Sequence, residues 1–524
     1  MVGFQAGKGA SPIEELGMVA ETRHWTVMGK RVAAPLLALA LLLAGRPAVA
    51  QQEDRFAGVR ATIERALAST SVASITVAVA KDGKILWEEG FGFADREANR
   101  KADAHTMYSL ASISKPITAT GLMMLVEQGK VSLDKPANDY LGRGKISGLA
   151  GDARQATVRR VLSHTAGLPL HYQFFYADQS YRPPTMDETI SRYGNVVFAP
   201  GSLYEYSNLG FGIIDHIVER VSGQPYAAFM RNQVFLPLGL THTSIDIAPG
   251  LEQYAAQRYD AQKRPIPFYA FDHMGASAVY SSAHDLVRFG MFHLKNKSPE
   301  QKPILKDATI DLMHTRVPPA QYGLGWGILD NDLGFRRVSH TGGMPGVSTV
   351  LNLYPSENLA VVVLTSSGAP TGAIAQEIAA AILPAYADSL RARRAQLASG
   401  PPAAGGRAGQ PPSQLNDVAG EWVGTLKTWK ATVPFRLSIG SNGEVFATVG
   451  DQARVAVNQP ALRNNRLSGR FTSVMPTDDV QRWAHTLALG LQLVDGVLKG
   501  QVSAQTSTEV VYYSLASYAE LRRQ

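Results

Sequence analysis

The chain has 524 residues, 45% of them hydrophobic and 18% charged. That is the balance of a folded protein, and at roughly 150 residues per domain the length exceeds one core. The net charge is +7, with no Lys/Arg cluster of the kind that grips nucleic acid, so no nucleic-acid partner is expected. Cysteine is absent, which excludes disulfides, thiolate catalysis and cysteine-built zinc sites.

Residues 1–50 read as an N-terminal extension carrying an export signal. Lys30-Arg31 precede an apolar run over 32–45, and Ala48-Val49-Ala50 offers a small-x-small cleavage pattern. The run is shorter than the about 20 apolar residues a membrane span requires. Met28 stands directly before this unit and is the expected start, with cleavage after Ala50. The mature chain is then expected in the periplasm or outside the cell, with no membrane span and no lipid anchor.

Residues 51–397 read as one mixed domain. Helical character over 60–68 gives way to a β-branched run at 74–80, and Asp82-Gly83 followed by Ile85-Leu86-Trp87 marks a hairpin. Residues 117–128 are broadly apolar, which predicts a helix buried on most sides and stopped by Gly129. Near the far end, 346–354 and 359–366 read as strands around a turn at 355–358, and 373–382 as a helix. The two strand-rich ends are expected to share one antiparallel sheet, with the helical middle packed beside it.

Residues 398–414 are rich in Pro, Gly and Ala and read as a linker. Over 415–524 the period changes to two. Leu487, Leu489, Leu491 and Leu493 alternate with smaller or polar neighbours, Asp495-Gly496 turns the chain, and similar runs recur around Ser441-Asn442-Gly443 and Asn464-Asn465. This predicts a small all-β barrel or sandwich of about eight strands. The fold class is therefore α/β, more strictly α+β: an antiparallel sheet flanked by helices, plus a small C-terminal all-β barrel.

Three short motifs carry the chemistry. Ser112 and Lys115 stand one helical turn apart ahead of an apolar helix, Tyr206-Ser207-Asn208 follows a Pro200-Gly201 turn, and His340-Thr341-Gly342-Gly343 opens a Gly-rich stretch. A hydroxyl, an amine, a phenol and an amide with small residues nearby are the parts for acyl transfer through a serine ester. Each motif alone is weak. Ser-x-x-Lys recurs at Ser132 and Lys135, Tyr-x-Asn at Tyr193 and Asn195, and His-x-Gly at His273 and Gly275. Context separates them: Ser112 precedes Pro116 and a long apolar helix, where a helix N-terminus favours negative charge. The plain alternatives are a helix-capping serine, a buried structural tyrosine and a surface histidine. No Gly-x-Ser-x-Gly, His-Glu-x-x-His or Walker-type loop occurs, the histidines show no metal-ligand spacing, and neither metal nor cofactor is expected.

Together with Leu162-Ser163-His164-Thr165-Ala166-Gly167-Leu168-Pro169, Tyr322-Gly323-Leu324-Gly325-Trp326 and Ser339-His340-Thr341-Gly342-Gly343, these motifs resemble the penicillin-binding-protein-like serine hydrolases that include class C β-lactamases. The C-terminal part resembles the lipocalin-like barrels appended to some members. The resemblance implies Ser112 as nucleophile, Lys115 as the amine beside it, and Tyr206 as general base and later acid, with the base between lysine and tyrosine left open. It further implies that Asn208 orients Lys115 or substrate, that His340 fixes substrate and the Tyr206 proton network, and that the Ser112 and Gly343 amides, beside Gly342, form the oxyanion site. Class C β-lactamases usually carry lysine where this chain has His340; a histidine there resembles D-stereospecific peptidases and many other hydrolases of the group. The expected activity is hydrolysis of a peptide-like amide or ester in a small-molecule, peptide or cell-wall substrate. A β-lactamase and a non-catalytic cell-wall binder are the alternatives, and the oligomeric state stays open.

Overall fold

The computed structural model describes residues 54–68, 72–399, 415–507 and 512–524. The expected export signal and residues 400–414 of the expected linker lie outside the described residues; Pro384–Ser399, just before them, is helical.

The two ends of the first region meet in one seven-stranded sheet. Its spatial order is Gly327–Asp332, Phe335–Met344, Val347–Tyr354, Leu359–Thr365, Ser74–Lys81, Lys84–Asp95 and Arg100–Lys101. Ser74–Lys81 pairs antiparallel with Leu359–Thr365 in the register Val77 opposite Val363, so chain ends far apart in sequence share one sheet, as the strand pattern predicts. The strand is buried on both faces, with bulky Ile75, Val77 and Val79 alternating with smaller Ser74, Thr76, Ala78 and Ala80. Ile75, Val77 and Val79 pack with Ile374, Ile378 and Tyr386 from the helices Thr371–Ile382 and Pro384–Ser399. Ala78 and Ala80 face the opposite way, into the core that holds Leu286, Val287 and Phe289 of the helix Ala283–His293. Asp82 and Gly83 both have positive φ, 52° and 77°, the geometry that closes a two-residue hairpin.

The helix over 117–128 begins three residues earlier, at Ser114, and runs to Glu127. A 3₁₀ turn, Ala111–Ile113, leads into it, and Gly129 at φ 71° ends it. Its residues are buried nearly all round, which explains the lack of a polar stripe. It packs against the helix Asn208–Ser222.

The C-terminal sheet has nine neighbouring strands, one of only two residues, in a nearly closed barrel-like order from Val455–Ala456 round to Asn458–Arg463. Asn464-Asn465 and Asp495-Gly496 are paired positive-φ turns. Leu487, Leu489 and Leu491 are buried, as the period-two pattern requires, and Leu493 packs on the same core. The sheet does not end at the barrel. Its last strand, Tyr512–Arg523, pairs with Tyr172–Tyr176, which in turn pairs with Tyr269–Phe271. Residues of both regions therefore belong to one compact unit, Arg55–Gln524. No described helix is long and apolar enough to cross a membrane.

Candidate active site

From Met107 to Met123 every residue is buried except Ser112, which is partly exposed. The turn that presents it is strained: Ala111, directly before it, has φ 49°, a left-handed conformation that costs an L-residue about 1–2 kcal/mol. Neighbours hold the turn in place. Leu110 N donates to Val279 O at 2.8 Å, Val279 N donates to Ser114 Oγ at 3.0 Å, and Thr349 Oγ1 donates to Leu110 O at 2.9 Å. No side chain caps this helix start, so the capping role for Ser112 falls away.

Lys115 is fully buried. Its Nζ lies 3.0 Å from Ser112 Oγ, 2.8 Å from Asn208 Oδ1 and 3.0 Å from Ala276 O. Burial holds this amine well below the ordinary lysine value. Asn208 Oδ1 and the Ala276 carbonyl can only accept, so a neutral amine spends its two N–H bonds on them and turns its lone pair to Ser112.

Tyr206-Ser207-Asn208 is the entry to the helix Asn208–Ser222. Ser207 is its cap, accepting from Gly210 N at 2.9 Å and donating to Pro169 O at 2.6 Å, which fixes the residues on either side of it. Burial raises the Tyr206 phenol above the ordinary value, and the nearby Ser112 hydroxyl partly opposes this. The Lys115 Nζ stands 4.7 Å from the Tyr206 ring centre. Beneath that ring, at 4.3 Å, lies His164. Its Nδ1 accepts from Ser207 N at 3.0 Å, and burial holds its pKa well below the ordinary histidine value.

His340 occupies the strand Phe335–Met344. Its Nδ1 donates to Thr341 O at 2.7 Å, which leaves Nε2 to accept from Tyr322 Oη at 2.8 Å. Burial, the largest cause, pushes its pKa down to about 3, so the ring is neutral. It bonds Tyr322 and not Tyr206, whose ring centre is 6.4 Å away; the expected link to the Tyr206 proton network is not made directly. Gly342 and Gly343 divide their work. A Cβ on Gly342 would meet Leu110 O at 2.1 Å and Thr349 Oγ1 at 2.2 Å, whereas one on Gly343 would meet nothing within 4 Å. Gly342 lets the strand touch the Ser112 turn, and Gly343 faces open space.

The neighbouring strand stops pairing at Gly327 opposite Ser339, so beyond that point one edge of this strand is open to an extended ligand. There a cleft of about 500 Å³ is lined by Tyr204, Tyr206, Gln321, Tyr322, Ser339 and His340, with no Lys or Arg among its lining residues. The competing motifs lie elsewhere. Ser132 and Lys135 are exposed, Tyr193 bonds Asp479, and His273 bonds Asp272 at 2.6 Å. Sequence reasoning assigned no role to Tyr322, although it sits in a quoted motif, nor to the Ala276 carbonyl, which has no sequence signal. It also missed Glu205, gripped from the barrel by Arg466 at 2.6 and 3.2 Å and by Gln501 at 2.8 Å.

The profile of the Beta-lactamase family matches residues 59–387, more than half of the chain. The chain belongs to the Beta-lactamase family. Members of this family's fold are serine hydrolases, and the matched segment contains Ser112, Lys115, Tyr206, Asn208 and His340. Penicillin-binding protein 4* of Bacillus subtilis (strain 168) is 28% identical over 316 residues, 56% of this chain and 67% of its own length. A class C beta-lactamase structure superposes with a TM-score of 0.56 at 17% identity, covering 65% of this chain and 99% of that one. The structure of SurE with D-Leu superposes at 0.56 and 21% identity over 88% of this β-lactamase-family chain and 99% of its own.

Proposed function

We propose that this β-lactamase-family chain is an exported hydrolase that cleaves a peptide-like amide or ester, without an anchored carboxylate, through an acyl ester on Ser112. One observation carries the reading: the sole partly exposed residue of a buried segment, Ser112, lies 3.0 Å from the Nζ of a fully buried lysine. In the reaction Ser112 Oγ bonds to the acyl carbon and its proton passes to Lys115 Nζ. Of the two candidate bases, the electrostatics favour the lysine, because burial lowers the amine and raises the Tyr206 phenol. Tyr206 then donates to the leaving amine or alcohol and recovers its proton from Lys115. The amides of Ser112 and Gly343 stabilise the oxyanion. Water releases the acyl group by the reverse sequence.

The neutral His340 and the absence of Lys or Arg from the cleft lining support a substrate that needs no carboxylate anchored, unlike β-lactams. D-configured amino amides are the class to assay first, since a structure of the same fold carries D-Leu. Export rests on the sequence of residues 28–50. The test is turnover of a p-nitrophenyl ester and D-amino amide panel, with intact-mass detection of the acyl-enzyme adduct formed from the ester. Ser112→Ala should lose at least 10³-fold in kcat and form no adduct; a variant that keeps wild-type turnover would overturn the assignment.

A further inference from the structure

Away from the cleft, imidazoles converge on one carboxylate. Glu88 stands on the strand Lys84–Asp95, His105 on the turn before Met107–Ser109, and His284 in the first turn of Ala283–His293. His284 Nδ1 lies 2.9 Å from Glu88 Oε2, and the His105 and His284 ring centres are 4.8 Å apart. One ligating atom from each of the three lies within 4.8 Å of the others. A further imidazole, His242, packs against His105 at 5.1 Å.

The backbones that carry these rings are pinned. His105 N donates to Asp103 Oδ1 at 3.0 Å, His284 N to Ala104 O at 3.1 Å, and His242 N to Asp285 Oδ2 at 2.7 Å. The side chains keep freedom to adjust, since His105 is exposed and the His284 and Glu88 side chains are 25% and 30% exposed. Ligand atoms on a tetrahedral ion with bonds of about 2.1 Å stand roughly 3.4 Å apart, so side-chain rotations of about 1 Å would close the set. A single divalent ion would satisfy the carboxylate and both imidazoles at once. Two nitrogens and one carboxylate oxygen suit zinc-like ions; magnesium and calcium require oxygen ligands.

We propose that Glu88, His105 and His284 form a surface site for one divalent transition-metal ion of the zinc type, with the fourth position left to water or His242. The ion would staple three elements: the edge region of the main sheet, the segment that leads within seven residues to Ser112, and the helix Ala283–His293. Local spacing could not reveal it, because Glu88 and His284 are 196 positions apart.

The test uses the full chain without an affinity tag, stripped with EDTA and titrated with ZnCl₂ by calorimetry and thermal melting. One equivalent should bind with a micromolar or tighter Kd and raise Tm, and MgCl₂ should do neither. His105→Ala and His284→Ala should each weaken zinc at least tenfold while keeping the apo melting temperature near wild type, because both side chains reach solvent. No binding below 100 µM would overturn the proposal. So would binding unchanged in the double variant, including binding that is lost on His171→Ala, which would assign the ion to the buried group His171, Asp272 and His273.

Discussion

Gly342→Ala and Gly343→Ala differ by one position and should differ sharply in effect. At Gly342 the added Cβ would fall 2.1 Å from Leu110 O and 2.2 Å from Thr349 Oγ1, inside the 3.0 Å that real Cβ atoms respect. Thr349 Oγ1 also donates to Leu110 O, so neither neighbour yields without releasing the turn that presents Ser112. Relief requires the strand and the turn to part by about 1 Å. Overpacking of this kind costs about 1–3 kcal/mol of stability, and a displacement of about 1 Å at a reacting centre costs on the order of 10²-fold in rate. At Gly343 the Cβ meets nothing, so the fold should tolerate it. The assay is Tm by melting together with kcat and kcat/KM on a p-nitrophenyl ester. Gly342→Ala should lower Tm and reduce kcat about 100-fold, while Gly343→Ala keeps Tm within about one degree. Wild-type kcat and Tm in Gly342→Ala would refute the argument that strand and nucleophile turn are held in contact through that glycine.

The remaining predictions concern protons and the barrel. His340, pushed down to about 3, stays neutral from pH 5 upward, and burial holds His164 well below its ordinary value. Ester turnover should therefore rise with pH only through the lowered pKa of Lys115, as its amine loses a proton, and show no histidine limb; an inflection near 6.5 that vanishes in His340→Gln would contradict this. Arg466→Ala removes a charge-assisted pair, 33% and 12% exposed, from Glu205, the residue before Tyr206. Such bonds contribute about 1.5–3 kcal/mol, and kcat should fall about tenfold, with Arg522→Ala at the exposed Glu520 pair as the silent control; equal kcat in the two variants would show that the barrel does not position Tyr206.

Much of the fold was legible because local chemistry forces it. Asp82-Gly83 and Asp495-Gly496 accept the paired positive φ values that tight hairpins need. The β-branched run at 74–80 ahead of Asp82-Gly83 reads as the first strand of a hairpin, and Gly129 stops the Ser114–Glu127 helix where expected. The site was legible in part for the same reason. Pro200-Gly201 and Ser207 set Tyr206 at a helix entry, and Pro116 sits tolerably in a first turn. What local pattern could not supply is any contact made through a backbone carbonyl or across a long separation. The Ala276 carbonyl on Lys115 is available to any residue type, and Glu205 meets Arg466 across 261 positions.

By itself the sequence determined which parts exist: a serine with an amine one turn away, a phenol and amide at a helix start, glycines on a strand, and two regions with different hydrophobic periods. Only the tertiary structure decided their states and partners. Lys115 loses its proton readily because packing removes water from it and supplies acceptor-only neighbours, and His340 turns to Tyr322 because Thr341 O claims its Nδ1 proton. The two regions share a sheet because Tyr512–Arg523 finds Tyr172–Tyr176 at its edge. Desolvation and long-range pairing depend on everything that surrounds a residue, and a linear pattern records only its neighbours.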